Sequence, residues 1–242
     1  MKGIILAGGK GTRLYPLTKI TNKHLLPVGK EPMILNPVKQ LISAGIEEIM
    51  IVTSKEHMGD VVNLLGSGKD YNCDFTFKVQ EQSLGIAHAL LLGENFANGE
   101  PIAVVLGDNI ATRSIKNFVI NFQNQKVGAR VLLKKVGDPE RYGVAAIDEK
   151  KIMRIEEKPK EPKSDHAVIG IYAYDNKVFD IIKLIKPSER GEYEITSVNN
   201  TYIEKKQLEY DILEGKWTDA GTFESFYYAN QIMYEVNNNL EE

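Results

Sequence analysis

With 242 residues, 43% of them hydrophobic and 26% charged, the chain has the makeup of a soluble globular protein with enough apolar material for one large core or one core with an appended lobe. The net charge of −3 is unevenly spread: Met1 to Lys30 holds six Lys or Arg and no acid, and the remaining residues sum to −9. That split points to one specific anion and away from a general polyanion binder, so no nucleic acid is expected as partner. A single cysteine, Cys73, excludes an internal disulfide, and no Cys/His cluster suggests zinc. The longest apolar runs, such as Pro101 to Gly107, are too short for a bilayer of about 30 Å, so no membrane partner is expected. The N-terminus enters a strand within two residues and shows no apolar stretch of signal-peptide length, which leads to an expectation of cytoplasmic residence.

In chain order, the apolar run Gly3 to Ala7 predicts a buried strand that breaks into Gly8, Gly9 and Gly11, then Thr12 and Arg13. Glycines there let successive backbone N–H groups press against a phosphate chain. Pro32 to Ala44 has helical apolar spacing that stops at Gly45. Ile49 to Val52 predicts a strand, Met58 to Leu65 a helix, Cys73 to Val79 a strand, Ile86 to Leu92 a helix opened by Gly85, and Pro101 to Leu106 a strand ending in Gly107-Asp108-Asn109. This alternation indicates a parallel sheet with helices on both faces, in which ligands bind beyond the carboxyl ends of the strands. After a helix at Ile115 to Phe122 come four strands joined by short turns, at Ala129 to Lys134, Gly143 to Ile147, Ile152 to Glu156 and Ala167 to Tyr174, which suits antiparallel pairing. Helices at Val178 to Ile185 and Ile195 to Lys205, a strand at Leu208 to Leu213 and a helix from Phe223 to about Val236 complete the chain.

The glycine stretch fails both common phosphate-loop patterns. A Walker A loop needs GxxxxGK[ST], but Ile4 stands five residues before Gly9, and Gly11 follows Lys10 where Ser or Thr belongs. The pattern GxGxxG would need a third glycine at Leu14. What remains is GGxGTRLxPxT, followed by NKHLLPVGKEPM from Asn22 to Met33. This pair of segments resembles the signature of the sugar-1-phosphate nucleotidylyltransferases, most closely the glucose-1-phosphate thymidylyltransferases.

The resemblance covers Lys2 to about Phe226 and implies a three-layer Rossmann-like α/β fold, with a central, mostly parallel mixed sheet and a smaller antiparallel sugar-binding region. It implies one nucleotidyltransferase domain over 1–242, divided into a nucleotide-binding half at 1–125, a sugar-binding region at 126–222 and a terminal helix at 223–242. The reaction implied is transfer of a thymidylyl group from dTTP to glucose-1-phosphate with Mg2+, giving dTDP-glucose and pyrophosphate for dTDP-sugar synthesis, commonly towards rhamnose. Many relatives continue into further helices that carry subunit contacts and a regulatory site. A short form with weak or absent feedback is therefore expected, and a homo-oligomer is left open.

Residue by residue, the resemblance assigns Arg13 to the triphosphate, Lys23 to the phosphates at the reacting centre, and Asp108 and Asp219 to the metal. Leu6, Gly8, Gly9, Gly11 and Thr12 complete the phosphate loop. Lys23 lies in Asn22-Lys23-His24-Leu25 where many relatives read Ser-Lys-Gln-Leu. Asp219 is equally suited to cap the helix that starts near Thr222, and sequence does not separate these roles. Gln80 presents a donor and an acceptor suited to the O4 and N3–H edge of thymine or uracil, with Gly85 completing the base site. Many relatives have Asp where Leu84 stands. On the sugar side, Glu140-Arg141-Tyr142-Gly143-Val144 and Glu156-Glu157-Lys158-Pro159 match family segments. They assign Tyr142, Gly143 and Glu157 to the hexose and Lys158 to the 1-phosphate; Val168 and Tyr172 line the hexose strand, and Arg190 adds a second phosphate cation. A uridylyl- or cytidylyltransferase is the alternative within this chemistry. A metal-dependent glycosyltransferase would show Asp-x-Asp, which Gly107-Asp108-Asn109-Ile110 lacks. A silent nucleotide-sensing module would tolerate loss of Lys23 and Asp219.

Overall fold

A computed structural model of the chain describes residues 1–239, so the last three residues of the helix expected at 223–242 lie outside the described residues. The strands in chain order are β1 (Lys2–Ala7), β2 (Pro27–Val28), β3 (Glu31–Pro32), β4 (Glu48–Ser54), β5 (Asp74–Gln80), β6 (Ile102–Leu106), β7 (Asn109–Ala111), β8 (Ala129–Lys135), β9 (Gly143–Asp148), β10 (Lys151–Glu157), β11 (His166–Tyr174), β12 (Leu208–Ile212) and β13 (Trp217–Asp219). The helices are α1 (Leu35–Ser43), α2 (Met58–Leu65), α3 (Ile86–Leu91), α4 (Glu94–Ala97), α5 (Lys116–Gln125), α6 (Val178–Leu184), α7 (Ile195–Glu204) and α8 (Phe223–Asn239). Parallel and antiparallel strands interleaved with helices make up the mixed α/β architecture expected of a Rossmann-like fold.

The chain forms two compact units, and each takes segments from distant parts of the sequence. The first combines Gly3–Ser83 and Val105–Lys116 with the segment from Gly215 onward; the second combines Met1–Lys2, Leu84–Val104 and Asn117–Glu214. In the first unit β1 pairs in parallel with β4, Gly3 opposite Ile49 and Ala7 opposite Thr53, and β4 pairs in parallel with β5 until Ser54 faces Gln80. Parallel neighbours require a crossover of a dozen or more residues, which α1 and α2 supply. Their strands are buried runs such as Ile4-Ile5-Leu6-Ala7 and Ile49-Met50-Ile51-Val52. On the other side of β1 the Gly107 N–H donates to the Leu6 carbonyl at 2.9 Å, which carries β6 into the short strand β7.

β7 pairs antiparallel with β13 over three residues, and Asp219 lies opposite Asn109. So short a ladder needs support from elsewhere. The amides of Asn36 and Gln40 on α1 provide it: the Asn36 amide closes a two-way pair with the Ala111 backbone, and Gln40 bonds the Ala111 carbonyl and the Ile115 N–H.

The second unit is built mostly of antiparallel pairs, β9 with β10, β9 with β11, and β8 with β11, the last irregular between Val168 and Tyr172; β12 adds to β8 in parallel. Ring stacking along its core joins Tyr172, Tyr174 and Tyr202 at centroid distances of 6.0 and 5.9 Å. Among the described residues no helix is long and apolar enough to cross a membrane.

Candidate active site

The first unit gathers Arg13, Lys23, Asp108 and Asp219 through their apolar neighbours. Leu14, Leu26, Ile110 and Ala220 join Val28, Met33 and Ala229 in one buried cluster, with Phe226 and Met233 of α8 packed against it. Each of these four apolar residues lies one to three positions after one of the charged residues. Burying them fixes where the charged side chains emerge, because the apolar contact supplies the stabilising free energy and the charges follow the backbone.

At the centre of the group the Lys23 ammonium donates to Asp108 Oδ2 at 2.5 Å, and the two side chains are only 10% and 14% exposed. Burial pushes the Asp108 carboxyl up, but the Lys23 ammonium and its hydrogen bond prevail and hold it down at about 2, so it is ionised at neutral pH. Asp108 Oδ1 accepts from the Asn109 amide at 3.4 Å, and Asn109 Oδ1 in turn accepts from the Trp217 indole at 2.8 Å. The β7–β13 register, together with an Ala220 N–H donating to the Asp108 carbonyl at 2.8 Å, places Asp108, in the turn just before β7, beside Asp219 at the end of β13. The side chain of Thr222 caps α8 by accepting the Ser225 N–H at 3.2 Å. Arg13 Nη2 and Asp219 Oδ2 both approach Gly221, to 3.0 and 3.2 Å of the point a Cβ there would occupy.

The loop after β1 shows why glycine is needed at two positions. A Cβ on Gly8 would lie 2.2 Å from Gln80 Oε1, so the buried Gln80 side chain at the end of β5 is seated directly on the loop backbone. Gly11 has φ +63 and lies against Lys23 Cβ and the Thr18 methyl, where a side chain would have no room. Thr18 Oγ1 donates to the Gly11 carbonyl at 2.9 Å and closes the turn that presents exposed Thr12 and Arg13.

The second unit gathers a different set. Glu157, at the end of β10, accepts from Thr196 Oγ1 at 2.5 Å, and a Cβ on Gly143 would meet both groups at 3.2 to 3.5 Å. Arg190 lies among three carboxylates, at 3.8 Å from Glu157, 3.1 Å from Glu192 and 3.5 Å from Glu194. Burial raises the Glu194 carboxyl above its ordinary range, although Ser188 donates to it at 2.9 Å. The Lys158 N–H donates to the Tyr142 carbonyl at 2.9 Å, which brings the two matched segments together, and the Lys158 side chain is exposed. Val168 faces Gly143 across the β9–β11 pair, whereas Tyr172 lies farther along β11 in the tyrosine stack.

A family model described as nucleotidyl transferase matches residues 2–235. The chain belongs to that nucleotidyl transferase family. A glucose-1-phosphate thymidylyltransferase of Neisseria meningitidis is 43% identical over 98% of this chain and 84% of its own length. A Bacillus anthracis structure, described as a glucose-1-phosphate thymidylyltransferase in complex with a sucrose, is 57% identical, with a TM-score of 0.93 over 96% of this chain and 95% of that one. A UDP-glucose pyrophosphorylase complexed with UDP-glucose is 29% identical, with a TM-score of 0.85 over 97% of this chain and 98% of that one.

In this nucleotidyl transferase, Leu6, Gly8, Gly9, Gly11, Thr12, Arg13, Lys23, Gln80, Asp108 and Asp219 all fall in the first unit. Tyr142, Gly143, Glu157, Lys158, Val168, Tyr172 and Arg190 fall in the second, as does Gly85, because the division passes between Ser83 and Leu84. Gly85, at φ +102, packs its backbone against that of Tyr193. Sequence reading missed the buried polar residues behind the charged ones, namely Asn22, His24, Thr53, Asn109 and Trp217. A signal for them existed in Asn22 and Asn109, two asparagines directly beside an expected site residue.

The donor set suits magnesium. Among the described residues no group of three or more His, Cys, Asp or Glu is gathered for a metal, whereas Asp108 and Asp219 offer hard carboxylate oxygens from the turn before β7 and the end of β13. Magnesium is commonly held by one or two carboxylates, with substrate phosphates and water supplying the other ligands.

Proposed function

We propose that this nucleotidyl transferase converts dTTP and glucose-1-phosphate into dTDP-glucose and pyrophosphate, with Asp108 and Asp219 holding a magnesium ion. The reading is supported most by one observation: the buried Lys23–Asp108 pair lies one register position from Asp219, in a chain 43% identical to a thymidylyltransferase over nearly its whole length. In the reaction a 1-phosphate oxygen forms a bond to the α-phosphorus of the nucleotide, and the bond from that phosphorus to the bridging oxygen of the departing pyrophosphate breaks. No proton has to be removed from the attacking phosphate, so the work of the protein is alignment and charge stabilisation.

Lys23 supports the charge that grows on the α-phosphoryl oxygens, and the forked guanidinium of Arg13 bridges the phosphates that leave. A bound magnesium ion neutralises triphosphate charge. The Gly8–Gly11 backbone cradles the chain of phosphates, and Gln80 reads the edge of the pyrimidine. In the second unit Glu157 accepts from hexose hydroxyls above Gly143, and Lys158 and Arg190 bind the 1-phosphate. The product is consumed in dTDP-sugar synthesis.

Pyrophosphate release, measured for dTTP, UTP, CTP and ATP against a panel of hexose-1-phosphates with magnesium and with a chelator, tests this reading. The expected result is the highest kcat/KM with dTTP and glucose-1-phosphate and loss of turnover with the chelator. Turnover with UTP alone would reassign the enzyme as a uridylyltransferase. No release with any pair would end the catalytic reading.

A further inference from the structure

We infer that Asn22 is the positioning residue of Lys23, fixing both the lysine and the distance from its turn to Asp108. This rests on the role given to Lys23 above. Lys23 sits in a three-residue 3₁₀ turn, Lys23–Leu25, a conformation with little stability of its own, yet its side chain is among the least exposed of the charged groups. Something outside the turn must hold it.

The Asn22 amide does so with three bonds, and none of the groups involved is more than 3% exposed. Its Oδ1 accepts from the His24 backbone N–H at 2.9 Å and lies 2.7 Å from His24 Nδ1. A backbone N–H can only donate, so that face of the amide is the oxygen, and His24 Nδ1 must carry a proton to face it. The Asn22 Nδ2 therefore points the other way and donates to Thr53 Oγ1 at 3.4 Å, and Thr53 donates to the Ala7 carbonyl at 3.2 Å. Thr53 lies in β4 and Ala7 ends β1, so the turn is fastened to two central strands. The far side of the His24 ring lies against Gly107, where a Cβ would come within 2.8 Å of Cδ2. Gly107 precedes Asp108. One amide thus ties the lysine's turn to the backbone that carries its carboxylate partner.

The test uses the full chain with Asn22→Ala, which removes all three bonds; Asn22→Ser, the residue many relatives carry here, is run beside it as the milder variant, which keeps an oxygen for the His24 N–H. In Asn22→Ala kcat falls about 10- to 100-fold while KM for glucose-1-phosphate stays within about twofold, as expected when a reacting group is misplaced by a fraction of an ångström. Lys23, protected in the wild type, is labelled by reductive methylation at least about tenfold faster, read by peptide mass spectrometry, because its stem is no longer held in place. In a Lys23→Ala background Asn22→Ala makes no further difference to kcat, since residues acting as a unit are not additive. Unchanged protection of Lys23, or rate losses that multiply in the double variant, would overturn the assignment. If Lys23→Ala alone keeps the wild-type rate, it is the catalytic reading of Lys23 that fails, and the methylation result still decides whether Asn22 holds that side chain.

Discussion

The two charged clusters of this protein are built on opposite plans. Around Lys23 and Asp108 each charge is nearly buried, has a defined partner, and is backed by buried amides and an indole that are themselves hydrogen-bonded. Around Arg190 one guanidinium, 43% exposed, is shared among three glutamates, so the group carries a net surplus of negative charge where a phosphate cation was expected. A buried pair is costly to disturb because an abandoned charge cannot find water, whereas a half-exposed pair is partly replaced by solvent and salt. The first plan suits a group whose position must be set before substrate arrives. The second suits a group that exchanges its carboxylate partners for a phosphate.

The sharpest way to break this contrast is to remove the charges of the first cluster. Asp108→Asn and Lys23→Ala should each lower kcat by at least about 100-fold, the usual scale for losing a group that stabilises charge in the transition state. Steady-state pyrophosphate release reads the effect, and near-normal rates in both variants would dissolve the difference between the clusters. The next effect is in stability. Burial, reinforced by the Lys23 ammonium and opposed by Asp108, lowers the His24 ring from 6.5 to about 3. Between those values the unfolded chain binds a proton that the folded chain refuses, so stability falls as pH drops from about 6.5 towards 3, by about 1.4 kcal/mol per pH unit. At pH 5 this amounts to about 2 kcal/mol. Denaturant unfolding at pH 7 and pH 5 should show His24→Gln losing less stability on acidification than the wild type by about that amount. Parallel losses in the two proteins would mean that His24 is protonated in the fold.

What sequence could show here divides along the same physical line. Long periodic elements were legible: a helix expected over Met58 to Leu65 is α2, a strand expected at Ile49 to Val52 is the centre of β4, and one expected at Ala129 to Lys134 is β8 but for its last residue. The strands β7 and β13 were not legible, because three residues carry no period, and they are held by the register with each other, the Trp217–Asn109 bond and the side-chain amides of Asn36 and Gln40. Yet this ladder is what brings Asp219 beside Asp108 across more than a hundred residues of sequence. The charged residues announced themselves by type and motif. Thr53 and Trp217 did not, because a buried hydroxyl or indole acts through partners that only the fold supplies.

Arg190 offers a finer test. If the guanidinium leaves its glutamates for the 1-phosphate, Arg190→Gln should raise KM for glucose-1-phosphate about tenfold with little change in kcat, equivalent to about 1.4 kcal/mol of charge-assisted hydrogen bonding. The same variant should weaken the salt dependence of KM, since an exposed cation interacts through a screened field. An unchanged KM with a small stability loss would instead make Arg190 only a counter-ion for Glu157, Glu192 and Glu194.

The smallest effect is expected at Thr196, and its size is what distinguishes the two plans. Its hydroxyl donates to Glu157 Oε2 at 2.5 Å, and the Glu157 side chain is 26% exposed. Thr196→Val removes that donor at nearly constant volume. Were Glu157 as enclosed as Asp108, the orphaned carboxylate would cost the full desolvation of an ion. At this exposure water replaces the hydroxyl, so what is lost is the fixed direction of the carboxylate. KM for glucose-1-phosphate should therefore rise only about three- to fivefold, under about 1 kcal/mol, with kcat and thermal stability close to wild type. A loss of more than about 2 kcal/mol would place Glu157 in an environment as dry as that of the Lys23–Asp108 pair, and the contrast between the clusters would then be one of residue type alone.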